Sequence, residues 1–351
     1  MSINYISQIP QEKEIISETK TKTLFIFNPE HDFALAVGSD NYTPPAEVVK
    51  IRNKYSLLPA TYAGDGDFII VPDDVISKDI SSLPWYKNVL QKNLTILHWK
   101  DLPNNFEKIS RILPWGWDHA IHKELKINGV NPILLPSLEE IGRIRELSHR
   151  RNTITFRNTI ADILNEDVIN PPVELFSVRE VERILERENI YFFKAPWSSS
   201  GRGIVVTDHI TRKGLLEWSH GIIRRQGSVM VEKAWNRIFD FASEWWIKNG
   251  EAKFLGYAVF RSSSRGKYHG NVEVTQEEMI ELIKKEVPTF HEGIIESQKK
   301  ALNLHISPFY SGPLGIDMLA DNDGLINPCV EINLRFTMGH LPIFHYDNKI
   351  Y

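Results

Sequence analysis

The hydrophobic pattern of this chain changes character part-way along, and that change limits the folds open to it. In the first part, short apolar runs of strand length alternate with helical stretches. Thr23 to Phe27 reads as a buried strand ended by Asn28-Pro29, Asp67 to Val71 as a second, Leu94 to His98 as a third and Asn131 to Leu135 as another, with a helix over Ala46 to Tyr55. This alternation predicts an α/β domain with a largely parallel sheet over residues 21–145. From Tyr191 the pattern turns to strands: Tyr191 to Lys194, Ile204 to Thr207, Val229 to Lys233, Phe239 to Ile247, Lys253 to Phe260, Gly315 to Ala320 and Leu325 to Asn333. Helices at about 211–225 and 275–303 separate them, which predicts an α+β region with antiparallel hairpins. Asp321-Asn322-Asp323-Gly324 is the clearest hairpin turn.

Helix starts are marked by capping-box spacing at Ser137 with Glu140, Ser177 with Glu180 and Thr275 with Glu278, each followed by apolar residues at helical intervals. Pro288 should interrupt or kink the last of these helices. At 351 residues the chain is expected to hold two or three domains. Residues 1–20, polar and aperiodic, read as an N-terminal extension.

The net charge of −4 gives no reason to expect nucleic acid or an anionic membrane as partner. The short basic run His149-Arg150-Arg151 reads as a solvated helix face. Gln11, Glu12, Lys13 and Glu14 stand where a signal peptide would need an apolar stretch, and no segment approaches the roughly 18 apolar residues that span a bilayer. The expected location is the cytoplasm. The single cysteine, Cys329, excludes an intrachain disulfide and reads as a buried thiol.

Two distant segments make sense together as one nucleotide site. Lys194 closes the apolar run Ile190 to Phe193 and is followed by Ser198, Ser199, Ser200, Gly201, Arg202 and Gly203. Small residues let the backbone approach an anion, and hydroxyl and N–H groups donate to phosphate oxygens. The loop has neither Walker A nor Rossmann spacing. In the second segment Glu331 and Asn333 are two apart, on one face of a strand, and Asp317 lies on the partner strand. Such hard oxygen ligands suit Mg²⁺ shared with phosphate. Arg335 continues the face and can contact a transferring phosphoryl group.

The order Lys-x-Pro…Ser-Gly-x-Gly, then Val231 to Ala234, then Gly315-Ile316-Asp317, then Glu331-Ile332-Asn333-Leu334-Arg335 resembles the ATP-grasp superfamily over about residues 146–351. The resemblance implies a pre-ATP-grasp-like parallel-sheet domain over residues 21–145, followed by a two-subdomain ATP-grasp module over 146–351. It implies that ATP and one or two Mg²⁺ are bound, with Asp317, Glu331 and Asn333 as metal ligands. Adenine would lie against Glu232, Lys233 and Ala234, and ribose against Asp240. Lys194 would hold the α/β-phosphates, with the 198–203 loop closing over the β/γ end. Many relatives carry an arginine or other polar residue just before the metal aspartate; here it is Gly315, which leaves Arg335 and Arg261 as candidates for the γ-phosphate. Arg150, Arg151 and Arg157 are the possible stand-ins for a further phosphate lysine.

The activity implied is an ATP-dependent ligase that joins a small-molecule carboxylate to an amine or thiol through an acyl phosphate, with Lys194 and Arg335 as its catalytic cations. The alternatives are a small-molecule kinase on the same scaffold and a nucleotide-binding protein without turnover. Other residues stay open. His31 and Asp32 stand at the carboxyl end of the first strand, where a ligand role competes with a turn or cap. Trp115-Gly116-Trp117 reads as core packing or a substrate wall. Zinc at His119 and His122 is not expected. Ser262 to Gly266 reads as a lid or a plain loop, and Thr337, Gly339 and His340 are placed at an acceptor pocket by position.

Overall fold

The structure of the protein is a computed structural model that describes residues 22–75, 77–198, 201, 203–262 and 268–347. The expected extension over residues 1–20 lies outside the described residues, as do Ser199, Ser200, Arg202 and residues 263–267.

The first apolar runs form a four-stranded parallel sheet of β1 (Thr23–Ile26), β2 (Phe68–Val71), β3 (Thr95–His98) and β4 (Arg111–Pro114), in the order β3-β2-β1-β4. Continuous apolar strands are what a sheet covered on both faces requires. Leu24, Ile26, Phe68, Ile70 and Ile112 pack on one side with Ile121 and Leu125 of the helix His119–Ile127. Phe25, Ile69, Val71 and Leu113 pack on the other.

The run Asn131 to Leu135, expected as a strand, is instead a 3₁₀ turn over Pro132–Leu134. Pro132 lacks the N–H a ladder needs, Asn131 caps the Ile133 amide at 3.1 Å, and Ile133 is left 84% exposed. The place in the sheet is taken by β4.

A second sheet contains β5 (Val173–Leu175), β6 (Tyr191–Lys194), β7 (Ile204–Val206) and β8 (Val229–Lys233), antiparallel in the order β5-β8-β6-β7. The third contains β9 (Arg237–Lys248), β10 (Glu251–Ser262), β11 (Tyr268–Asn271), β12 (Gly312–Asp321) and β13 (Ile326–Asn333), antiparallel in the order β11-β10-β9-β12-β13. Asn249 and Gly250, at φ 54° and 75°, form the tight β9–β10 turn, a conformation for which Asn-Gly is favoured. Asp321 accepts the amides of Asp323 and Leu325 at 3.0 and 2.9 Å and so shapes the expected β12–β13 turn.

Ser137 and Thr275 make full capping boxes, and Ser177 caps the Glu180 amide. The stretch expected as one helix over 275–303 is two, Gln276–Glu286 and Gly293–His305, separated around Pro288. With the helix Asn152–Leu164 they bury the largest core against the third sheet. No helix among the described residues is long and apolar enough to cross a membrane.

One core joins the first and third sheets. Trp246, Leu255, Phe336, Ile343 and Phe344 pack directly with Phe25, Phe27, Leu113 and Trp115. Phe336 stacks on Tyr62 at 4.4 Å between ring centroids, and its amide donates to the Trp115 carbonyl at 2.8 Å. The segment after β13 is thereby fixed to the carboxyl end of the parallel sheet.

That end is tied together by Asp118. Its carboxylate accepts the Ala120 and Ile121 amides at 2.8 and 3.0 Å and Asn28 Nδ2 at 3.1 Å, and His31 Nδ1 stands 3.3 Å away; Asn28, His31, Asp118 and Ile121 are buried. Asp118→Ala leaves these buried donors unpaired and should lower stability by about 2–3 kcal/mol. Urea denaturation measures this; an unchanged midpoint would mean that the knot carries no load.

Candidate active site between the sheets

The open face of the third sheet carries polar side chains in register. Asp317 on β12 lies opposite Ala242 on β9 and Glu331 on β13. One step along, Gly315 lies opposite Glu244 and Asn333; one step the other way, Leu319 lies opposite Asp240. Alternation puts Asp240, Glu244, Asp317, Glu331 and Asn333 on one face. They border a cavity of about 930 Å³ that Lys194, Ser198, Gly201 and Glu232 also line. The structure thus brings the two sequence segments to one place.

The cations here are held by carboxylates from other segments. Lys194 on β6 pairs with Glu232 on β8, both largely buried. Arg335 grips Asp32 with Nε and Nη2, at 3.0 and 2.8 Å, and donates to Asn333 Oδ1 at 3.0 Å. Asp32, left open between ligand and cap by the sequence, is the partner that positions Arg335. Arg150 donates to Glu331 Oε1 at 2.7 Å, to Ser198 Oγ at 2.8 Å and to the Ala195 carbonyl at 2.5 Å.

The basic run is therefore not a solvated helix face. His149 and Arg150 are 2% and 6% exposed, and Arg151 alone reaches outward, to Glu174 at 2.7 Å. His149 is pushed down to about 3 by burial and then by the charges of Arg151, Arg145 and Arg150, so it stays neutral. Arg157 is buried with its Nη1 4.0 Å from Glu232. Arg150 was visible in sequence only as one of three possible stand-ins; its distance of 181 positions from Glu331 hides the pairing.

The other expected positions divide. Gly203 accepts the Ala195 amide at 2.8 Å, closing the β6–β7 hairpin around the loop. Lys233 is exposed, and the Ala234 N–H donates to the Ile190 carbonyl at 2.8 Å; the cavity wall after β8 is made by Trp235, Asn236 and Arg237. The buried Trp235 indole N–H has no acceptor among the described residues. Asp240 lines the cavity with Arg237 Nη1 3.4 Å away. Arg261 is exposed. His119 pairs with Asp40 at 3.2 Å, and Cys329 is buried with its thiol pushed up by desolvation.

Glu244 carried no sequence signal. It is 1% exposed, and Gly339 makes room for it: a Cβ there would stand 2.0 Å from Oε1. His340 Nδ1, 3.0 Å from Glu244 Oε2, already accepts the Thr337 amide at 3.1 Å. Burial drives both groups to neutrality, with Glu244 raised well above the usual carboxylate range and His340 lowered to about 3. Thr337, Gly339 and His340 thus surround a buried acid at the cavity edge.

Among the described residues no three His, Cys, Asp or Glu side chains converge to hold a metal by themselves. Asp317, Glu331 and Asn333 give two carboxylates and one amide oxygen. Burial, and then the charge of Glu331, push Asp317 up to about 7 against the opposing Arg335 and an Asn333 hydrogen bond. A hard cation would relieve that repulsion, so the donor set fits Mg²⁺ completed by ligand oxygens.

No family model matches the sequence, and no curated protein matches it. Solved structures do. The biotin carboxylase of Campylobacter jejuni, in a β,γ-ATP complex, is 11% identical with a TM-score of 0.54, over 93% of this chain and 68% of that one. The biotin carboxylase domain of the 2-oxoglutarate carboxylase of Hydrogenobacter thermophilus, in complex with MgADP, ADP and bicarbonate, is 13% identical with a TM-score of 0.51, over 94% and 70%. At such identities the likeness is one of fold.

A carboxyl whose value rises on folding keeps a proton that the unfolded chain releases. Its contribution to stability is present below the unfolded value near 4, is lost as pH rises to about 7, and is flat above. In metal-free protein the melting temperature should decline over that window, and Asp317→Asn should flatten the decline. An equal slope in the variant would exclude Asp317 as its source.

Proposed function

We propose that this chain, which has the ATP-grasp fold, is an ATP-dependent ligase that joins a carboxylate to an amine or thiol through an acyl phosphate. The observation that carries the reading is the cavity that gathers Lys194, Glu232, Asp317, Glu331 and Asn333 from strands of two sheets, with Arg335 just after β13. We place the boundary between a pre-ATP-grasp-like domain and the two-subdomain ATP-binding module at about residue 146. In this reading the base lies between the second and third sheets, beside Phe192, Ile204, Leu319 and Trp235, which line that part of the cavity.

Lys194 and Arg150 turn from their carboxylate partners to the phosphates, since each is a buried cation that needs an anion wherever it points. Mg²⁺, held by Asp317, Glu331 and Asn333, supplies neutralisation of phosphate charge when bound. Arg335 keeps its place through Asp32. Among the described residues four of its five N–H donors are taken, and in this reading the fifth, on Nη1, meets the charge that builds as the substrate carboxylate attacks the γ-phosphorus. ADP leaves with the bonding pair of the bridging oxygen. The nucleophile then attacks the acyl carbon, and phosphate departs.

Lys194→Ala should weaken ATP binding about 10–100-fold, the loss of one charged hydrogen-bond donor. Glu331→Gln should keep much of the nucleotide affinity and abolish turnover. Calorimetry with ATP, with and without Mg²⁺, and ADP release over a panel of carboxylates and amines measure both. Variants that bind and turn over like the wild type would show the site to be elsewhere.

A further inference from the structure

The cavity extends past the charged residues, and its far side is apolar. Phe27 lies at the end of β1, Ile51 on the helix Ala46–Lys54, Tyr55 at that helix's end, Trp85 before the helix Tyr86–Gln91, and Trp115 after β4. Asp32 is the one charged residue before position 146 that lines the cavity among the described residues, and Arg335 holds it. Among the described residues no cation before position 146 lines the cavity, and Lys54 Nζ stands over the Tyr55 ring, 5.1 Å from its centroid.

The wall is also partly wet. Ile51 keeps 40% of its surface exposed, and Tyr55 and Trp85 are only half-buried, so apolar area remains to be covered at the mouth of a cleft. Trp85 packs against Tyr55 at 5.8 Å between centroids. Its backbone stands at φ 65°, ψ 7°, the left-handed region that a bulky side chain rarely adopts. Strain of this kind persists where the surroundings enforce it, and it collects at ligand sites.

We infer that this end of the cavity binds the body of the carboxylate substrate, and that this body is uncharged and aromatic, or apolar and of similar size. The inference rests on the ligase reading for the direction of the substrate: its carboxylate toward Arg335 and the Asp317–Glu331 face, its body between Trp115 and the Tyr55–Trp85 pair. An uncharged body leaves no ionic group unpaired against lining side chains that, Asp32 apart, are aromatic and aliphatic. A flat ring covers the aromatic surface that Tyr55 and Trp85 leave open beside the Lys54 ammonium.

Calorimetry on the full chain tests this. AMP-PNP with Mg²⁺ is titrated first, followed by 3-phenylpropanoate and indole-3-acetate beside succinate and 3-phosphonopropanoate. The variant is Trp85→Gly, because glycine accepts the left-handed backbone and the nucleotide titration reports whether the fold is intact. The aromatic acids should bind at least about tenfold more tightly than the dianionic ones, and Trp85→Gly should weaken them about tenfold with AMP-PNP affinity unchanged. Dianionic acids binding as well as the aromatic ones, no acid binding, or aromatic acids indifferent to Trp85→Gly would each overturn the inference. Wild-type protein that fails to bind AMP-PNP would overturn the ligase reading instead, and Trp85-dependent binding of the aromatic acids would still support an apolar acid site.

Discussion

The structure turns on the burial of opposite charges in one cleft. Lys194 with Glu232, Arg150 with Glu331, and Arg335 with Asp32 each join segments that fold on different elements. Withdrawing such groups from water costs several kcal/mol per ion, and the pairs return this only in part. They are therefore weak grounds for stability and strong grounds for exchange. A polyphosphate with its metal ion brings both signs of charge, so each protein ion can change partner without becoming unpaired.

The apolar packing fixes where those charges meet. Arg335 is followed by Phe336, which packs among Tyr62, Trp115 and Trp246 in the core shared by the first and third sheets. That ring anchors the backbone from which the Arg335 side chain reaches to Asp32. Asp32 sits on the helix after β1, where Asn28, His31 and Asp118 hold the strand ends together. The pairing of Asp32 with Arg335 is thus set by two buried anchors, one on each side of the cleft.

The same cleft has two chemistries. Around Asp317 the wall is polar, and burial, helped by the charge of Glu331, pushes Asp317 up to about 7. Toward Tyr55 and Trp85 its lining is aromatic and aliphatic. A ligand that satisfies both ends is charged at one end only. At that end the backbone of Trp85 is kept in the left-handed region, which a bulky residue rarely adopts.

Much of the fold was legible because its signals are local. Strand-length apolar runs gave β1, β2 and β3, capping spacings gave three helix starts, and Asp321 to Gly324 gave a hairpin turn. The run Asn131 to Leu135 shows the limit: apolar composition says that a segment could be buried, and only the surrounding sheet decides whether it is. In the site, the two-residue spacing of Glu331 and Asn333 and the hairpin partner Asp317 fixed one face by backbone periodicity alone. What pairs with Arg150, what holds Arg335, and that Glu244 is buried beside His340 were decided by tertiary structure. These contacts join residues far apart in the chain, or rest on the space a glycine leaves, and neither leaves a trace in local pattern.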